Sequence, residues 1–97
     1  KGGVNTKYLI QGSSPSGIAL DFIDLDGNYQ AAVLAGANAD LDGEDLPEDE
    51  AFWGSIGLTV IQLECPIHFT EAIGLKSKNY GIPILLNAEP AIPFPDF

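Results

Sequence analysis

The sequence predicts an α/β fold, in which a β-hairpin is followed by one βαβ unit of a parallel sheet. Three observations carry that expectation. Residues 18–23 and 29–34 are β-rich runs, and the Asp26-Gly27 pair between them is a strong hairpin signal. Residues 58–63 and 82–86 are short apolar runs, partly β-branched, of the kind that form buried parallel strands. Between them lies a helical stretch over 67–79, opened by Pro66 and stopped near Gly81.

The elements follow in order. Residues 1–37 form the hairpin region and 38–97 the α/β region, with Tyr8-Leu9-Ile10 offering a third strand beside the hairpin. Alternation along the first strand sends Ala19, Asp21 and Ile23 to one face and Ile18, Leu20 and Phe22 to the other. Residues 40–50 are an acidic run in which seven of eleven are Asp or Glu. Pro47 suits the first turn of a short helix over 47–54, and acids there favour the helix dipole. The helix over 67–79 carries an imperfect apolar face of Ile67, Ala72, Ile73 and Leu75, with Lys76 and Lys78 in its last turn. Strand, helix and strand then make one βαβ unit, right-handed by the general rule. The Pro-rich tail from Pro90 to Phe97 reads as a loop.

Composition narrows the function classes. Ninety-seven residues make at most one small domain, and 45% apolar content places it among globular chains. Fourteen acids against four lysines give a net charge of −10, which repels nucleic acid and anionic membranes; neither is expected as a partner. No apolar run approaches the roughly 18 residues of a membrane span. No signal-peptide pattern opens the sequence. A single cysteine, Cys65, excludes an internal disulfide framework and fits a reducing, cytoplasmic compartment. The chain has no Met and starts at Lys1, which leads to the expectation of a piece of a longer protein.

Glu64 is the first candidate functional residue. It follows the apolar run 58–63, so it should stand at a strand's carboxyl end, where open α/β sheets bind ligands. An ionised carboxylate only accepts hydrogen bonds, which suits a polyol whose hydroxyls all donate. Four short words surround it in order: Ser16-Gly17-Ile18-Ala19-Leu20, Ala35-Gly36-Ala37-Asn38, Gln62-Leu63-Glu64-Cys65-Pro66 and Asn87-Ala88-Glu89-Pro90-Ala91. Each is weak alone, but their order and spacing resemble the middle of ribokinases of the PfkB carbohydrate kinase family, from Gly3-Val4-Asn5-Thr6 to Ala91.

The resemblance implies a ribokinase-like fold, of which this chain supplies part of a β-lid and one βαβ unit. It implies transfer of the ATP γ-phosphoryl, with Mg²⁺, to a primary hydroxyl of ribose or a related sugar. It implies that Glu64 contacts the sugar, that Ala19, Asp21 and Val33 of the lid face it, and that the lid pairs with a second subunit. Two departures stand out: Asp21 is charged where ribokinases are apolar, and Asn87-Ala88-Glu89-Pro90-Ala91 replaces Asn-Pro-Ala-Pro-Ala. The family's Gly-Gly sugar motif, its Asn-x-x-Glu motif for magnesium and phosphate, and its Gly-Ala-Gly-Asp segment with the catalytic base and anion hole have no match here. No catalytic residue and no metal ligand is therefore expected within this chain, and by itself it should bind neither ATP nor Mg²⁺.

Two rival readings carry less weight. Asn38-x-Asp40-x-Asp42-Gly43, ending in Asp49, mimics a calcium loop, and would make the chain a small non-enzymatic binding or assembly module. It begins with Asn, puts Asp45 where an apolar anchor belongs, and follows a strand; a solvated turn and helix start is the expectation. Cys65 and His68 could be imagined as a dyad, but Cys65 reads as a buried small thiol and His68 as a solvent-facing residue early in its helix.

Overall fold

The computed structural model describes residues 2–93. Strands β1 (Ile18–Ile23) and β2 (Tyr29–Leu34) pair antiparallel, from Ile18↔Leu34 to Ile23↔Tyr29. The turn is set locally. Asp24 Oδ1 accepts from the backbone N–H groups of Asp26 (2.9 Å) and Asn28 (2.8 Å), and Oδ2 from the Asn28 side-chain amide. These bonds, first of all the Asn28 amide, hold the Asp24 carboxyl below the usual range. Gly27 supplies the φ of 83° that the turn requires. Residues 8–10 do not add the expected third strand. They lie in a turn closed by Leu9 N–H to Thr6 C=O (3.0 Å), and the Tyr8 ring packs edge-on against Phe52.

After the hairpin the chain makes two 3-10 turns, Gly36–Asp40 and Gly43–Asp45. Gly36 (φ 55°) passes so close to Pro15 and Gly17 that a side chain would collide with their backbone. The short helix α1 spans Glu50–Gly54, not 47–54, because Asp49 rather than Pro47 starts it. The Asp49 carboxylate accepts from Ala51 and Phe52 N–H and so caps the first turn. Pro47 stands outside, its carbonyl accepting from Trp53 Nε1 at 2.7 Å.

Strand β3 (Thr59–Gln62), helix α2 (Ile67–Asn79) and strand β4 (Ile84–Asn87) form the βαβ unit, with β3 and β4 parallel in the register Thr59↔Ile84 to Gln62↔Asn87. The helix bounds match expectation. The strands are shorter, because Gly81 (φ 65°) and the bond from Ile82 N–H to Ser77 C=O (2.9 Å) close the helix before β4 can begin. The helix buries Thr70, Gly74 and Ser77, while Leu75, expected on its apolar face, is 51% exposed. Ser77 Oγ meets Thr59 Oγ1 at 2.9 Å, so this small-residue stripe is the face laid on the sheet. Coverage is one-sided: Ile61 and Leu63 are buried, whereas Val60 and Leu85 are exposed rather than buried as expected.

The core comprises Trp53, Ile61, Leu63 and Ile82. Trp53 stacks on Tyr80 at 6.0 Å and meets Phe52 edge-on at 5.5 Å. The hairpin adds nothing to it: all six positions of each strand are exposed. A radius of gyration of 15.9 Å records this projecting hairpin, against about 12–13 Å for a compact chain of this length. Among the described residues no helix is long and apolar enough to cross a membrane. From Pro90 through Pro93 the tail carries neither helix nor strand, and the rest of the expected loop, 94–97, lies outside the described residues.

Candidate functional site

Glu64 sits in the turn that follows β3, two residues beyond its last paired position. Backbone pairing continues past the strand ends, since Leu63 N–H donates to Glu89 C=O at 3.0 Å. That bond brings the segment after β4 alongside the turn after β3. Val33 closes the space from the hairpin side. Val33, Leu63, Glu64, Glu89 and Pro90 together line a cleft of about 410 Å³.

The register groups the predicted lid residues. Ala19 is paired with Val33, and Asp21 with Ala31, so Ala19, Asp21 and Val33 share one face of the hairpin. Only Val33 of the three lines the cleft with Glu64. Ala19 stands across from it, and Asp21 lies one alternation nearer the hairpin tip. Asp21 is engaged on that face, where Tyr29 Oη donates to its Oδ1 at 3.0 Å, a bond that pushes the Tyr29 phenol up. Glu89 is the charged lining residue that sequence reasoning did not single out as a site residue. Its signal was present in the replacement of Asn-Pro-Ala-Pro-Ala by Asn87-Ala88-Glu89-Pro90-Ala91.

A second groove, about 300 Å³, runs between β3 and α2 and shares Glu64, with Cys65 in its wall. Cys65 is half-buried, not fully buried as expected, and burial first, then the Glu64 charge, pushes its thiol up. A thiol raised in this way stays protonated near neutral pH and is a poor nucleophile. His68 is exposed, as expected, and its Nε2 lies 3.3 Å from Asp42 Oδ2, an ion pair only when the imidazole is protonated.

Three carboxylates of the acidic run, those of Asp42, Asp45 and Asp49, cap its own backbone. Asp42 accepts from Glu44 N–H, and Asp45 accepts from Asp42 N–H, a reciprocal capping box. Asp49 caps α1 and also accepts from Lys7 Nζ and Tyr8 Oη, each at 2.7 Å. Those bonds, Lys7 first, hold the Asp49 carboxyl far below its usual value and raise Lys7. Carboxylates used in this way point to a turn and helix start, not to ligands converging on one ion.

No family model matches the chain. Deoxyribokinases from Salmonella typhi and Salmonella typhimurium are each 30% identical over 91 residues, covering 93% of this chain and 30% of theirs. The ribokinase of Schizosaccharomyces pombe is 28% identical over 94 residues, covering 96% of this chain and 30% of its own. The chain is ribokinase-like. Its fold agrees. The crystal structure of Sa239 matches with a TM-score of 0.82 at 27% identity, over 95% of this chain and 31% of that one. Ribokinase from Giardia lamblia matches with a TM-score of 0.67, over 84% of this chain and 28% of that one; at 22% identity this speaks to fold alone. The ribokinase-like chain thus spans about 30% of the length of the curated relatives it matches.

Proposed function

We propose that this chain is the sugar-binding and lid part of an ATP-dependent kinase of the PfkB carbohydrate kinase family, acting on a primary hydroxyl of ribose or a related sugar. One observation carries the reading: Val33 of the hairpin and Glu64 of the strand-end turn, singled out from sequence as sugar-facing, line a single cleft. Residues 1–37 would be the lid and 38–97 part of the core. Glu64 would accept hydrogen bonds from sugar hydroxyls, with Val33, Ala19 and Asp21 as the facing lid wall. On the other face of the hairpin, Ile18, Leu20, Phe22 and Leu34 are all more than half exposed, which supports pairing of the lid with a second subunit. A cytoplasmic location is part of the proposal.

ATP and Mg²⁺ belong to that proposal for the whole kinase, and this chain alone is proposed to bind neither. Among the described residues no group of three or more His, Cys, Asp or Glu could hold a metal ion. Lys7 and Lys76 are committed to Asp49 and Glu48. The work left to this chain is to bind and orient the sugar and to exclude water from above it. The 97-residue chain alone, incubated with Mg-ATP and ribose, should form no sugar phosphate.

The test of the reading is Glu64→Ala in the intact protein. A charge-assisted bond is worth about 1.5–3 kcal/mol, so sugar KM should rise about ten- to hundred-fold per bond lost, with a smaller change in ATP KM. Glu64→Gln keeps an acceptor oxygen and should fall between. An unchanged sugar KM in Glu64→Ala would sink the proposal.

A further inference from the structure

Glu89 is fixed by its main chain. Its N–H donates to Asn87 C=O at 2.8 Å and its C=O accepts from Leu63 N–H at 3.0 Å, so the residue is held beside the turn that carries Glu64. The residue is exposed and lines the same cleft as Glu64. The other lining residues, Val33, Leu63 and Pro90, are apolar, so the cleft offers acceptors and apolar wall but neither a cation nor a side-chain donor. Among the described residues neither Glu64 nor Glu89 is in an ion pair.

Resting on the sugar-site reading above, we infer that Glu89 is a second specificity-determining carboxylate of this cleft, and that it favours sugars carrying a protonated amino group over their neutral counterparts. A ligand in this cleft must donate to both rims. Neutral hydroxyls can do so, but they leave two negative charges uncompensated when a bound sugar and the hairpin face displace water. Desolvating a charge without a partner is costly, and two like charges in a site of reduced dielectric repel each other. One ammonium group offsets both effects and supplies three donors. The replaced Pro-Ala of the ribokinase word therefore changes the charge of the site, not only its backbone.

The experiment uses the intact protein with paired substrates: glucose against glucosamine, galactose against galactosamine, and ribose against its amino analogue. The wild-type protein should favour the amino member of a pair by about ten-fold or more in kcat/KM, the effect of one charge-assisted bond. Glu89→Gln, which leaves both main-chain bonds of residue 89 in place, should abolish that preference by weakening the amino sugars more than their neutral counterparts. Raising the salt concentration should weaken the preference in the wild-type protein only. A preference unaltered by Glu89→Gln, with all sugars weakened by Glu64→Ala, would overturn this inference and leave the sugar site standing. Sugars indifferent to both substitutions would overturn the site as well.

Discussion

Trp53 is the largest side chain of a small core, and its replacement should decide whether that core holds the chain together. The indole is 3% exposed, stacks on Tyr80, and donates from Nε1 to the Pro47 carbonyl. A buried tryptophan removes about 150–250 Å² from water. At about 25 cal/mol/Å² that amounts to about 4–6 kcal/mol. Truncation of such residues to alanine costs about 3–5 kcal/mol. Trp53→Phe keeps an aromatic ring but removes the donor, leaving a half-buried carbonyl unpaired at a cost of about 1–3 kcal/mol. Since among the described residues only Trp53, Ile61, Leu63 and Ile82 form the buried apolar set, total stability should sit at or below the low end of the usual range of about 5–15 kcal/mol. Urea denaturation of the 97-residue chain, followed by far-UV circular dichroism because Trp53 is the sole tryptophan, provides the assay. Trp53→Phe should fold with a lower midpoint, and Trp53→Ala should be largely unfolded without denaturant. A Trp53→Ala chain within about 1 kcal/mol of wild type, well short of the truncation cost, would refute the assignment of the core.

Two further predictions concern the acidic run. The Asp49 carboxyl titrates lower when folded than unfolded, so the folded state binds fewer protons there. Its contribution is complete above the ordinary aspartate value of about 3.9 and is lost as pH falls through the depressed folded value. NMR of Tyr8 and Lys7 should show the segment before the hairpin leaving α1 in that acid window, and Asp49→Asn should release it at neutral pH. Lys7 titrates higher when folded, so its share is complete below the ordinary lysine value of about 10.4 and is lost only above it. Calcium should bind no tighter than about millimolar, the weak end for such loops. Micromolar one-to-one binding by calorimetry, abolished by Asp42→Ala, would restore the calcium-loop reading.

The elements legible in the sequence were those whose limits are set by neighbours in the chain. The hairpin strands run Ile18–Ile23 and Tyr29–Leu34 as expected, because Asp24, Asn28 and Gly27 build the turn within five residues. Helix α2 likewise keeps its expected span, between Pro66 and Gly81. Competition misled the reading at α1: Pro47 and Asp49 are both good helix starters, and the Asp49 carboxylate wins by capping two N–H groups. At residues 8–10 strand propensity lost to a distant partner, since Tyr8 meets Phe52 and Asp49 from forty-odd residues away.

Of the candidate site, alternation in the first strand placed Ala19 and Asp21 on one face, and the position of Glu64 after an apolar run placed it near a strand end. Those are properties of local geometry, which a period of two and a run length carry in full. Tertiary structure decided three other things. It laid Thr70, Gly74 and Ser77, not Leu75, on the sheet, because small side chains and a hydroxyl pair with Thr59 fit there. It separated Val33, which reaches the cleft, from Asp21, which is drawn to Tyr29. And it set Glu89 beside Glu64 through one backbone bond between segments after two different strands, a juxtaposition that depends on parallel pairing across 25 residues and that no local pattern encodes.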